Sequence, residues 1–430
     1  MFVEIDCAPF GPCFSRGFPG LHTATSRINI DMSSSMEPLS TGSDELRQRS
    51  ALEKAPPVES SSSESTMCSI TDEKVEGEET SIEQKHLLEL QQLEEHHKAK
   101  HAANLLAMKR SEVLNRTTVQ MSILFYVSIY ILANYVNPEF KKFYTLSYKY
   151  EGTHVYDIGL DDIYFFVFWI INLMFCRSFL IIYVFKPCAK MLHIRSFKGI
   201  QRFIEQSWSI FYYSLSWGFG FYLYYKSDYF FNCYNIYANW PHDKLSAEFK
   251  FYYLVQTANW FQQFIVIFLE AKRKDHIQMV SHHIITIMLC TGSYACYLTR
   301  IGHIILLLMD IVDVFLSTAK ISKYCKFQTV CDVMFIMFMF VWIVLRHGVY
   351  NYVLYFSWTK AREIMDMDCS KFAPGEYVKL CYTDLQIDIL LILLAFLQVI
   401  MCIWMYMILR VAIRVVTGGS ADDVRSDSED

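Results

Sequence analysis

Four ionisable side chains interrupt an otherwise apolar stretch of the sequence: His282, His283, Asp310 and Asp313, all within residues 275–324. They sit on two apolar runs, 277–298 and 301–318, joined at Thr299 and Arg300. Each run is about long enough to cross a bilayer. An ionisable group near a bilayer centre costs about 2.5–3.5 kcal/mol on insertion scales, so such residues are functional candidates by default. An imidazole can act as general base or nucleophile, and a carboxylate can orient it and stabilise its charged form. Helical spacing puts Asp310, Asp313, Ser317 and Lys320 on one stripe, extended by His303. It puts His282, Thr286, Cys290, Ser293 and Tyr297 on another, and the segment before adds Gln256, Asn259 and Gln263. In lipid, such polar seams must face one another or a wet cavity.

The elements that position these groups follow from composition. The chain of 430 residues is 53% hydrophobic and 16% aromatic, more than a soluble domain needs, and residues 1–110 hold few of the aromatics. An all-α polytopic membrane protein is expected. The net charge of −5 says little where most of the surface faces lipid, and the 13 cysteines form no CxxC pair that would suggest zinc or a redox motif. The first 20 residues lack a basic region followed by an apolar core, so the first membrane helix is expected to do the targeting. Residues 1–80, with pieces such as SSSESTM and VEGEETS, read as a disordered tail. Residues 81–116 read as a cytosolic helix, 117–416 as the transmembrane catalytic region and 417–430 as an acidic tail. His97 and His101 are four apart and could share a metal, but a solvated helix face is the simpler reading.

Eight apolar segments are expected, at about 117–136, 163–185, 208–225, 251–270, 277–298, 301–318, 329–355 and 385–409. Positive charge gathers in alternate loops: Lys186 to Arg202, Lys272 to Lys274, and Lys320, Lys323 and Lys326, with Arg410 and Arg414 after the last segment. That density puts both termini in the cytosol. The sequon Asn115-Arg116-Thr117 is then cytosolic and expected to stay unglycosylated. The loop 356–384 is then lumenal, where Cys369 and Cys381 are either bonded or two free thiols. At about 1.5 Å per residue, Asp313 and Asp310 lie roughly 9 and 13 Å from the cytosolic end of their run. The acids are deeper than the histidines, so a His–Asp contact needs an axial offset or a bridging water. Lys272, Arg273 and Lys274 could meet a polyphosphate head group, and an apolar cavity behind the site could hold a long acyl chain. That combination suits acyl transfer from a water-borne phosphorylated carrier to a lipid. Against it stand interfacial packing for the His pair and a pure topology signal for the Lys-Arg-Lys run. A histidine-box di-iron site fits poorly, because the remaining histidines are scattered. A receptor or transporter does not call for these pairs beside a basic rim.

The stretch SHHIITIMLCTGSYACYLTRIGHIILLLMDIVDVFLSTAKISKY closely resembles the signature of the ceramide synthases, a TLC-domain family. The flanks RFIEQSW (202–208), YLVQTANWFQQ (253–263) and RKD (273–275) agree, and the resemblance covers roughly 117–416. It implies a helical bundle with six helices around an acyl cavity, in the endoplasmic reticulum membrane. It implies condensation of a long- or very-long-chain acyl-CoA with a sphingoid base, with no tightly bound cofactor, no metal and no nucleic acid. His282 and His283 carry over as catalytic, and Asp310 and Asp313 match the family's two acids. The imidazole would act as base or as a covalent acyl-imidazole nucleophile. Met309 stands where the family often has His, as in fungal members, and 137–162 is too short for the homeobox-like insert of animal members. Candidate substrate-binding residues are Arg202, Gln256, Asn259, Gln263, Lys272, Arg273, Lys274, Thr286, Ser317 and Arg346. Ser426, three before Glu429 in the acidic tail, fits an acid-directed kinase site. The resemblance also suggests a homodimer or a heterodimer with a paralogue, and a small single-span accessory subunit. The other reading is a non-catalytic TLC-domain protein that binds or transports lipid.

Overall fold

In the computed structural model, residues 72–194, 196–269, 275–371 and 380–416 are described. Lys272, Arg273, Lys274, Ser426, the tail 417–430 and the tail up to residue 71 lie outside them. The chain divides into two units, residues 8–101 and the remainder. In the first unit the described structure is helical, and Leu87, Leu90, Leu93, His97 and His101 are exposed on it. Helix α1 is assigned as Asp72–Ile131, so helix begins nine residues before the expected boundary at 81. It also runs without a break from the expected cytosolic helix into the first apolar segment.

Among the described residues of the second unit the regular elements are helices, with one short antiparallel strand pair and isolated bridges at Lys149–Tyr156 and Asp368–Tyr382. Helix α2 (Asp162–Leu180) passes through a π turn, Ile181–Phe185, into α3 (Lys186–Met191). Pro187 has no N–H to give the preceding turn, which accounts for the widened backbone there. Helix α4 (Phe197–Tyr225) starts at Ser196, whose Oγ accepts from Gly199 N. Next come α5 (Ala247–Leu269), α6 (His276–Ala295) and α7 (Thr299–Tyr324). The turn between α6 and α7 falls at 296–298, slightly earlier than Thr299-Arg300, and Tyr297 takes a positive φ of 58° in it. Helix α8 (Gln328–Val341) continues through a π segment, Trp342–Val349, into α9 (Tyr350–Met365). The last helix among the described residues is α10 (Asp384–Val416).

Among the described residues four helical stretches are long and apolar enough to cross a membrane: Lys85–Val136, Asp162–Met191, Gln328–Met365 and Asp384–Ile413. The other four expected segments fall on α4, α5, α6 and α7, the helices that carry the polar seams. Helix α7 packs along α4 and α8, α5 along α2 and α6, and α6 along α10. Two glycines make the inner crossings close. A Cβ at Gly302 of α7 would lie 2.0 Å from Tyr253 Oη, and one at Gly220 of α4 would lie 2.6 Å from Tyr252 Oη.

The end of the bundle beside the α6–α7 turn is tied by polar contacts. Strands β1 (Val155–Tyr156) and β2 (Leu245–Ser246) pair Val155 with Ser246 and Tyr156 with Leu245. Lys250, fully buried, donates to Ser147 O (2.9 Å) and Asp157 O (2.7 Å) and pairs with Asp162 Oδ1 at 2.6 Å. Tyr294 and Tyr297 of the turn region donate to Asp162 Oδ2 (2.8 Å) and Asp157 Oδ1 (3.1 Å). Cys369 and Cys381 are joined in a disulfide between α9 and α10, and Arg362 pairs with Asp384 and Asp388.

Candidate active site

Helix α6 carries both histidines, and α5 and α10 pack on either side of it. His283 Nδ1 lies 2.8 Å from Met279 O. A carbonyl only accepts, so Nδ1 carries the proton and Nε2 keeps its lone pair. That Nε2 is buried and has no partner among the described residues, and neither has His282 Nδ1. The rings of His282 and His283 are 5.5 Å apart and nearly perpendicular. Trp260 of α5 lies 5.3 Å from each of them, and Trp404 of α10 lies 5.1 Å from His282. Two indoles thus clamp the imidazole pair by edge-to-face packing.

A cavity opens beside His282. On α6 it is lined by His282, Thr286, Leu289, Cys290 and Ser293, and on α7 by residues from Ile301 to Met309. The register places His282 and Met309 at one end and the α6–α7 turn at the other, about 16 Å apart at 1.5 Å per residue. Leu390, Leu391, Leu394 and Leu397 of α10 close its side. It is a long, almost wholly apolar slot with a histidine at one end. The polar seam on α6 faces into this slot, as its lining shows for Thr286, Cys290 and Ser293.

The two acids sit elsewhere. Asp310 is fully buried, and its Oδ2 accepts from Ser216 Oγ (2.8 Å) and Gln256 Nε2 (2.7 Å). Tyr212 Oη donates to Gln256 Oε1 at 2.8 Å, completing a link from α4 through α5 to α7. Asp310 Oδ1 has no partner among the described residues. Asp313 pairs with Arg346 at 3.1 Å, and Arg346 also donates to Met309 O at 3.0 Å with its guanidinium 4.3 Å over Trp342. Among the described residues neither carboxylate hydrogen-bonds an imidazole. Asp310 faces α4 and α5 and Asp313 faces the π segment, while Met309 takes the cavity position between them. The orienting group of His283 is the Met279 carbonyl, while His282 is held by the packing of Trp260 and Trp404.

Of the candidate residues, the structure brings His282 and Thr286 to the cavity, with Thr286 donating to His282 O at 2.9 Å. Gln256 and Arg346 hold the acids. Asn259 is fully buried, and neither of its amide atoms has a partner among the described residues. Gln263 donates to Tyr213 Oη at 2.9 Å, Ser317 is buried on α7, and Arg202 pairs with Glu205 at 2.9 Å near the start of α4. None of these four lines the cavity. His303 keeps the face of Asp310, towards α4 and α5, two turns nearer the α6–α7 turn: its ring nitrogens meet Tyr229 Oη (2.8 Å) and Gly220 O (3.0 Å) inside an aromatic cage. Trp260, Trp404, Tyr212 and Ser216 are site residues that the sequence reasoning passed over. Tyr212 and Ser216 are four apart on α4 and form the same kind of seam that singled out Gln256.

A buried imidazole pair beside a long apolar slot, on inner helices of a membrane bundle, defines a lipid-handling membrane protein. A model of the TLC domain (TRAM_LAG1_CLN8) matches residues 202–410, which hold the whole site. The chain is 37% identical over 303 residues to sphingosine N-acyltransferase lag1 of Schizosaccharomyces pombe, covering 70% of this chain and 75% of that one. It is 35% identical to ceramide synthase LAG1 of Saccharomyces cerevisiae, covering 67% and 69%. It is 35% identical to the sphingosine N-acyltransferase-like protein ALT7 of Alternaria alternata, covering 67% and 72%. The chain belongs to the ceramide synthase (sphingosine N-acyltransferase) family of TLC-domain proteins.

Proposed function

We propose that the chain is a ceramide synthase that moves a fatty acyl group from acyl-CoA to the amine of a sphingoid base. The observation that carries this is the apolar slot between α6, α7 and α10 with His282 at its end. An acyl chain laid in the slot brings its carbonyl carbon to the imidazole, and burial there excludes water that would hydrolyse the reacting acyl group. His282, which faces the slot, is the nucleophile, and it forms an acyl-imidazole before the amine arrives. This order suits two lipid-like substrates that use one slot in turn. His283, with its free Nε2 lone pair, is the neighbouring base. Asp310 lies off the slot beside Met309, where Gln256 and Ser216 fix the carboxylate, and it supplies the negative charge that favours the approach of the sphingoid ammonium. Asp313 acts through Arg346. In this proposal eight helices span the endoplasmic reticulum membrane with both termini cytosolic, and Lys272, Arg273 and Lys274 meet the CoA phosphates at the cytosolic rim. Phosphorylation of Ser426, pairing with a second copy or paralogue, and a single-span accessory subunit belong to the same proposal.

The test is mass spectrometry of purified protein given acyl-CoA without sphingoid base. One acyl chain is expected on the peptide holding His282, with ceramide formed when base is added. His282→Ala is expected to lose both. Full ceramide synthesis by that variant would overturn the assignment, and wild-type turnover without any acylated peptide would overturn the covalent route.

A further inference from the structure

Acyl transfer passes through a tetrahedral centre whose oxygen carries a full negative charge for an instant. Donors that meet that oxygen are the largest single source of stabilisation in most acyl-transfer sites. The slot offers few. Of its polar side chains, Tyr237 donates to Ser357 Oγ (2.7 Å), Tyr253 is bound to Ser293 (2.6 Å), Ser293 donates to Leu289 O (2.5 Å) and Thr286 donates to His282 O (2.9 Å). Apart from the reacting imidazole and the weakly donating thiol of Cys290, this leaves Trp260 as the side-chain donor lining the cavity that is not already committed. Its Nε1 is buried and has no partner among the described residues, and the same holds for Trp404 Nε1. An indole nitrogen can only donate, and when buried it usually finds an acceptor. Leaving one without an acceptor is costly. Here two such donors come from different helices and pack against the same imidazole, at 5.3 and 5.1 Å.

We propose that the indole N–H of Trp260, with that of Trp404 as its counterpart, forms the oxyanion hole of this site. The proposal rests on the acyl-transfer reading above. The unprotonated nitrogen of His282 attacks the thioester carbon, an N–C bond forms, and the carbonyl π pair moves onto oxygen, where the indole N–H groups donate to it. The oxyanion collapses and the C–S bond breaks. The thiolate leaves with the bonding pair and takes the proton from the second nitrogen of the acyl-imidazolium, giving CoA thiol and a neutral acyl-imidazole. The sphingoid amine then attacks the same carbon, the oxyanion returns to the same donors, the C–N bond to the imidazole breaks, and the amine proton passes to the freed ring. Direct attack of the amine on the thioester would raise its oxyanion at the same place. Trp260 lines the slot with its ring already packed against His282, so its N–H needs little reorganisation at that moment, and Trp404 packs on the same imidazole from outside the slot lining.

The test uses the full-length protein with Trp260→Phe and Trp404→Phe, which keep an aromatic ring against the imidazole and remove only the N–H. Loss of one oxyanion donor lowers kcat by about 10²-fold or more, so a fall of that size is expected for Trp260→Phe with little change in KM for the base. Infrared difference spectra with carbonyl-labelled acyl-CoA, without base, should place the carbonyl band of bound acyl group at lower frequency in wild type than in Trp260→Phe. Wild-type kcat in both variants, or a band that does not move, overturns the proposal. If the variants do not fold, the wild-type band alone decides. It is expected below the value for the same acyl species in an apolar solvent, and a band at or above that value overturns the proposal. A wild-type protein that makes no ceramide would overturn the acyl-transfer reading instead.

Discussion

Asp310 is bonded on one side only. Ser216 and Gln256 occupy Oδ2, and Oδ1 lies buried and open. A buried carboxylate with a free lone pair is costly unless a cation or donor arrives, and the sphingoid ammonium is the cation this reaction brings. Asp310→Asn keeps the shape and removes the charge. Acylation of the enzyme by acyl-CoA alone should change little, while transfer of that acyl group to the amine should fall by about 10²-fold or more. Single-turnover measurements of the two half-reactions check this, and equal loss in both would place Asp310 in acylation instead. The His pair and both acids were legible in the sequence because intramembrane charge is rare enough to stand out. Their partners were not. Met309 and Asp310 are neighbours in sequence but differ by about 100° around a helix of 3.6 residues per turn, and only the packing decides which faces the slot. Trp260 and Trp404 were hidden for the opposite reason: among 8 Trp, 28 Tyr and 33 Phe, an aromatic residue in a membrane helix carries no signal.

Elements were legible where period and length agree. The expected hairpin of 277–298 and 301–318 is present as α6 and α7, shifted by a few residues. The continuous helix from Asp72 was not, because the change from polar to apolar at residue 117 marks the onset of the apolar stretch and not the end of a helix. Nor was the π segment Trp342–Val349, whose widened turn holds Arg346 and His347. Close helix crossing is set by single glycines, and this gives a prediction at the same scale. An added methyl at Gly302 would lie 2.0 Å from Tyr253 Oη and 3.2 Å from Ser293 Oγ. Tyr253 lines the slot, so Gly302→Ala must break the Tyr253–Ser293 bond and push the phenol away. Overpacking of this kind costs about 1–3 kcal/mol. Because Gly302 lies towards the turn end of the slot, long acyl chains should suffer most. A fall of about tenfold in kcat/KM is expected for long-chain acyl-CoA, with short-chain acyl-CoA little affected. Equal loss for all chain lengths would mean that the slot does not hold the chain in this direction.

At the scale of the whole second unit, the slot is only as fixed as the end that closes it. The segment 137–161, α2, α5 and the α6–α7 turn meet around one buried pair, Lys250 with Asp162, supported by Tyr294. Neither partner touches the slot, so the pair has no chemistry to perform. Its job is to lock the turn from which α6 and α7 descend to His282 and Met309. Removing one charge leaves the other stranded in an apolar surround, which costs about 3–5 kcal/mol, whereas replacing both with apolar groups is often neutral. Lys250→Met should therefore lower the unfolding midpoint in detergent sharply. The double variant Lys250→Met, Asp162→Leu should recover much of that loss if the charge alone is at fault. The two carbonyls that Lys250 also holds, Ser147 O and Asp157 O, lose their donor in both variants. Full recovery would make the pair a simple electrostatic match. Recovery that stops short by about 1–3 kcal/mol would show that the hydrogen bonds of the pair to Ser147, Asp157, Gly159 and Tyr294 matter beyond its charge, and acyl transfer should then stay impaired in the double variant at a temperature where it is fully folded.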